Sequence, residues 1–71
     1  MFNKRRLMAQ LALKGKTQRD LARELGINES TLYRKIAAGG DFSRKEINDI
    51  VQILDIDDPV PIFFDSELAE T

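Results

Sequence analysis

The side chains able to do chemistry in this 71-residue chain are mostly cationic, and all eleven Lys and Arg fall within residues 1–45. Only Asp20, Glu24, Glu29 and Asp41 oppose them there, a local surplus of +7, whereas residues 46–71 hold eight acids and no base. The formal net charge of −1 therefore hides a basic half and an acidic half. A polyanion responds to local potential rather than to total charge, so this split is compatible with nucleic-acid binding. It is equally compatible with an ordinary helical domain carrying a solvated acidic tail. Catalysis is disfavoured, because the chain has no His or Cys and its carboxylates fall on turns and caps without a base beside them. Lacking cysteine, it has no disulfide or thiolate metal site to hold the fold, and no metal or other cofactor is expected.

The length suits one domain with one modest core. The apolar stretches fall far short of the roughly 20 residues that a membrane span needs. Residues 1–6 carry charge but no following hydrophobic run of the signal-peptide kind. A cytoplasmic location without a membrane partner is the expectation.

Punctuation divides the chain into short helices. Leu7, Met8, Leu11 and Ala12 share one face and predict a helix from about Asn3 to Lys14, ended by Gly15. Thr17 and Asp20 have capping-box spacing and open a second helix, with Leu21, Ala22 and Leu25 as its stripe and Gly26 as its end. Asn28 is the expected N-cap of a third, in which Leu32 and Ile36 face inward and Gly39-Gly40 close the end. Ser43 and Glu46 form a second capping box, inside the staple pair Phe42 and Ile47, before the face Ile47, Ile50, Val51 and Leu54. Asp58 and Pro59 predict a last turn or two through Ile62, Phe63 and Phe64, an extended arm being the alternative. The expectation is an all-α fold: a compact domain of four to five helices over residues 1–64, then a frayed, acidic polar tail over 65–71.

The segment Thr17 to Ile36 is the most informative. Ala22 is small where the second helix must approach the third, and Gly26 supplies the positive φ that reverses the chain within three residues. Ile27 and Leu32, at hydrophobic-staple spacing, pin the crossing from inside. Two short helices meeting at such a turn project the outer face of the second away from the body.

Thr17-Gln18, Leu21-Ala22, Leu25-Gly26-Ile27 and Ser30-Thr31-Leu32 resemble the lambda-repressor-like (Xre) helix-turn-helix family, which includes the phage Cro repressors. Lys35-Ile36, Gly39 to Phe42, Glu46-Ile47 and Ile62 to Phe64 are similar to a subgroup of small phage Cro-like proteins, and the likeness spans roughly residues 4–64. Where many members carry an apolar residue three positions after Leu32, this chain has Lys35, and Ile36 takes the inward role.

The resemblance implies a lambda-repressor-like DNA-binding domain whose third helix enters a major groove. Glu29, Ser30 and Arg34 match base-reading positions, with Asn28 and Tyr33 beside them. Arg34 would bond guanine O6 and N7 together, and Glu29 would accept from a cytosine amino group. Thr17, Gln18, Thr31, Gly40, Arg44 and Lys45 would meet phosphates, Gly40 through the amides of its loop. Lys4, Arg5 and Arg6 would reach the flanking backbone or minor groove.

One recognition helix reads too few base pairs for genomic specificity, and family members answer with two-fold dimers on palindromic half-sites. Ile56, Val60, Ile62, Phe63 and Phe64 are the expected dimer interface, unless Phe63 and Phe64 fold back onto the core. The expected function is a phage or prophage Cro-like repressor on a double-stranded DNA operator, with no small-molecule ligand. An antitoxin or regulatory adaptor, using the fold to bind another protein, is the competing expectation.

Overall fold

The computed structural model describes residues 1–64. The expectation for the tail at 65–71 lies outside the described residues.

Local sequence sets each helix start. Helix α1 (Lys4–Leu13) is capped by Asn3, whose side chain accepts the Arg6 amide at 3.1 Å. Helix α2 (Gln18–Leu25) opens on the expected capping box: Thr17 Oγ accepts the Asp20 amide at 3.1 Å and Asp20 Oδ2 accepts the Thr17 amide at 3.0 Å. Helix α3 (Glu29–Ala37) begins after Asn28, which takes the N-cap position but makes no side-chain capping bond. The first-turn amides of α3 therefore lack the Asn28 side-chain acceptor that the sequence predicts. Helix α4 (Arg44–Ile53) repeats the reciprocal box with Ser43 and Glu46. The last element resolves to one helical turn, α5 (Val60–Phe63), where Asp58 Oδ1 accepts the Val60 amide at 3.0 Å.

The α2–α3 turn depends on Gly26. Its φ of +76° lets the Ile27 N–H reach back to the Ala22 carbonyl at 3.0 Å, closing α2 and aiming the chain into α3. A Cβ there would meet no neighbour, so the objection to a side chain is purely one of dihedral strain. Gly26→Ala is expected to lower stability by about 1 kcal/mol, the left-handed strain partly offset by the stiffer unfolded chain. Thermal unfolding followed by circular dichroism would register that as a drop of about 4–8 °C for a domain of this size.

Every helix sends residues to one core. Leu7, Leu21, Leu32, Ile50 and Leu54 are fully buried, and Leu11, Ala22, Ile36, Ile56, Ile62 and Phe63 complete the interior. Helix α2 packs on both α3 and α4, and α5 packs back on α1. Backbone and side-chain bonds tie α1 to the C-terminal half: Asn3 N–H donates to the Ile62 carbonyl at 2.6 Å, and Gln10 Nε2 to the Leu54 carbonyl at 2.8 Å. Phe2, Phe42 and Phe63 form an aromatic cluster with centroids 5.8–6.1 Å apart, in tilted and edge-on arrangements.

Candidate nucleic-acid interface

Helix α3 presents a continuous outer face. Leu32 and Ile36 point into the core, Thr31 and Lys35 flank them half-buried, and Glu29, Ser30, Tyr33, Arg34 and Ala37 are exposed. At 3.6 residues per turn these five cover an arc of about 140°. Four of the residues expected to read bases thus share this arc, with exposed Asn28 just ahead of it. Tyr33 stands out, with 61% of its surface open. Ala37 joins the arc although the motif did not single it out; the helical wheel was the signal that would have found it.

Lys35 fixes the phase of that arc. Its Nζ lies 3.4 Å from Glu46 Oε1 and 3.5 Å from the Asp41 carbonyl, so its stem follows the inward side of α3 and its head clips α4. The ion pair does from the flank what an apolar side chain would do from within. Glu46 is held below the ordinary glutamate range, chiefly by the Ser43 amide; burial opposes this, and Lys35 and the Ser43 hydroxyl add to the lowering. Asp20 is lowered in the same way by the amide and hydroxyl of Thr17, with Arg23 and Lys16 assisting. A carboxylate favoured in the folded state adds stability that is complete above its unfolded pKa and lost as pH falls through the folded one. Stability is therefore expected to decline in the acid range below about pH 4.3, the ordinary glutamate value. Glu46→Gln keeps a capping side chain but removes the charge. In denaturant melts its stability deficit relative to the native chain should be present at pH 7 and should shrink toward pH 3.

The ion pairs sort the cations into two sets. Lys14, Lys16, Arg23, Lys35 and Lys45 pair with Asp55, Glu24, Asp20, Glu46 and Asp49. Lys4, Arg5, Arg6, Arg19, Arg34 and Arg44 are all exposed and have no carboxylate at ion-pair distance among the described residues. Arg34 stands on the α3 arc, Arg19 in the first turn of α2 and Arg44 in the first turn of α4. From these last three positions a cation can meet an anionic backbone without first leaving an internal partner.

The residues expected to meet phosphates divide. Thr17 is exposed and engaged in its capping box, while Gln18 is half-buried with Nε2 3.5 Å from Met8 Sδ. The box uses the amides of Thr17 and Asp20 and leaves those of Gln18 and Arg19 without an acceptor among the described residues. Thr31 is half-buried at the edge of the arc, and Lys45 is 3.0 Å from Asp49 in an exposed pair of small energetic weight. Gly40 departs from expectation. Its amide donates to the Lys35 carbonyl at 3.0 Å, and the amides of Gly39, Asp41, Phe42 and Ser43 are likewise donated within the chain. The C-terminal closure of α3 consumes the donors that the loop was expected to offer. Gly40 serves the packing instead, because a Cβ on it would run into the Phe2 ring.

The expected dimer set also divides. Ile56, Ile62 and Phe63 are enclosed in the chain's own core, the last two because α5 folds back onto α1. Val60 and Phe64 remain outside, 53% and 55% exposed, so only these two of the five form open surface. Phe64 borders a groove lined also by Ile47, Val51, Pro59 and Arg44. Among the described residues there is no cluster of His, Cys, Asp or Glu able to hold a metal ion, and no helix long and apolar enough to cross a membrane.

Residues 4–38, which comprise α1, α2 and α3, match the family model described as a helix-turn-helix domain. A helix-turn-helix domain is present in this chain, and it suggests a DNA-binding, regulatory role. No curated protein and no solved structure matches the chain.

Proposed function

We propose that this protein is a sequence-specific regulator of transcription that binds double-stranded DNA, acting as a Cro-like repressor on a palindromic operator. The observation that carries this reading is the α3 arc. It is a solvent-facing row of hydroxyl, phenol and guanidinium groups, in which Arg34 has no carboxylate at ion-pair distance among the described residues, with two further such cations at the starts of α2 and α4. Such a row fits a major groove in width, and its flanking cations fit the phosphates on either side. Glu29 at the start of the arc adds selectivity by repelling phosphate while accepting from a cytosine amino group. Repression then follows from occupancy, the bound protein standing where polymerase would bind.

The partner copy docks through Val60 and Phe64 over the groove of Ile47, Val51 and Pro59, the apolar surface left open by α5. Two-fold pairing sets the α3 helices on half-sites about 34–36 Å apart, one turn of duplex. The test is selection from a random duplex pool followed by fluorescence anisotropy at several salt concentrations. Enrichment of an inverted repeat with half-sites about one turn apart is expected, with affinity falling steeply as salt rises. A pool that stays unenriched, or affinity indifferent to salt, would overturn the reading.

A further inference from the structure

Phe2 closes against the point where the α3–α4 turn has no side chain. With no Cβ on Gly40, the Phe2 ring lies over that turn and reaches Phe42 and Phe63, at centroid distances of 5.8 and 6.0 Å. The backbone one residue further on is pinned as well, by the 2.6 Å bond from Asn3 N–H to the Ile62 carbonyl. The start of α1 is therefore held against the turn that leads into Arg44, not left as a free arm.

The two sides of α1 then differ. Lys4 lies one helical turn before Met8, and Met8 Sδ sits 3.5 Å from Gln18 Nε2, so Lys4 is on the side that faces the opening of α2. Arg5 follows it, exposed. Arg6 instead lines a separate groove with Leu13 and Asp57. Lys4 and Arg5 thus stand on the helix start that Phe2 holds against the turn leading into Arg44, whereas Arg6 lines a groove bearing acids.

We propose that Phe2 is a positioning residue: docked over Gly40, it holds Lys4 and Arg5 as a fixed second clamp on the DNA phosphate backbone, beside Arg44 and outside the groove that α3 enters. This rests on the duplex-binding reading above and extends it to a part of the chain far from the recognition helix. Cations on a frayed segment would give up conformational freedom on binding; on a capped helix start that freedom is already gone. Arg6 takes no part in the clamp.

The experiment is fluorescence anisotropy with a pool-selected duplex and a scrambled one, over a range of potassium chloride concentrations. The chains compared are native, Lys4→Gln with Arg5→Gln, Arg6→Gln, Phe2→Ala and Phe2→Leu. Loss of two phosphate contacts should flatten the slope of log affinity against log salt by about 1.8 per bound chain. The Lys4/Arg5 double variant should show this flattening, and Phe2→Ala should show it in part. Phe2→Leu, which keeps an apolar plug over Gly40, should restore the native slope, and Arg6→Gln should leave it unchanged. The preference for the selected over the scrambled duplex should be the same in all five. A native slope in the double variant overturns the clamp. A Phe2→Ala chain that weakens only as its melting temperature falls, with its slope intact, overturns the positioning role. A native chain that binds neither duplex overturns the duplex-binding reading itself, and the clamp with it.

Discussion

Replacing Leu32 by Ala is expected to remove most of the stability of this domain. Leu32 is fully buried and is the α3 side chain at the junction of α2 and α3. Deleting such a side chain loses its transfer free energy and leaves a cavity that close-packed neighbours only partly fill, for about 3–4 kcal/mol in total. A single core in a chain below about 70–80 residues rarely supplies more than 3–5 kcal/mol. The variant should therefore melt at least about 12 °C lower and be substantially unfolded near 37 °C. Tyr33→Ala, one residue away but on the open arc, should change stability by less than about 0.5 kcal/mol. Thermal and urea unfolding of the pair separates the inward and outward sides of α3 directly. A loss below about 1 kcal/mol for Leu32→Ala would contradict its role as the pin of the helix crossing.

The second large effect is on recognition. Arg34 is exposed on the α3 arc with no carboxylate at ion-pair distance among the described residues, so its removal should leave the fold intact. A guanidinium bidentate to guanine is worth about 1–3 kcal/mol of discrimination, so Arg34→Ala should weaken binding to the selected duplex by roughly 5- to 150-fold. Binding to a scrambled duplex should change far less. Arg44→Ala should behave in the opposite way, losing affinity for both duplexes alike and reducing the salt slope by about 1. Anisotropy titrations of both variants on both duplexes decide it. An equal loss for Arg34→Ala on the two duplexes would move that residue from the bases to the backbone.

The parts legible in the sequence were those fixed within a few residues. The boxes Thr17–Asp20 and Ser43–Glu46 and the turn at Gly26 follow from side chains three or four positions apart, and all three occur as the spacing predicts. Asn28 shows the limit of that logic, because its position is set locally whereas its side-chain bond depends on how α3 meets the body. The phase of α3 needed burial to settle it: Lys35 reaches Glu46, eleven positions away, and no local pattern announces that pair. No local pattern marks Phe2, because its neighbours Gly40, Phe42 and Phe63 are distant in sequence. The same folding back of α5 onto α1 took Ile62 and Phe63 out of the surface that their hydrophobicity suggested for a dimer.

The central claim is that the outer arc of α3 is the surface that meets DNA. Amide resonances of the ¹⁵N-labelled chain, titrated with the selected duplex, test it most directly. The largest shifts are expected across Glu29–Ala37 and at the starts of α2 and α4, while Leu13 and the acidic stretch Asp55–Asp58 stay near their free positions. Shifts centred on Asp55–Asp58 and α5, with Glu29 to Ala37 unmoved, would contradict it.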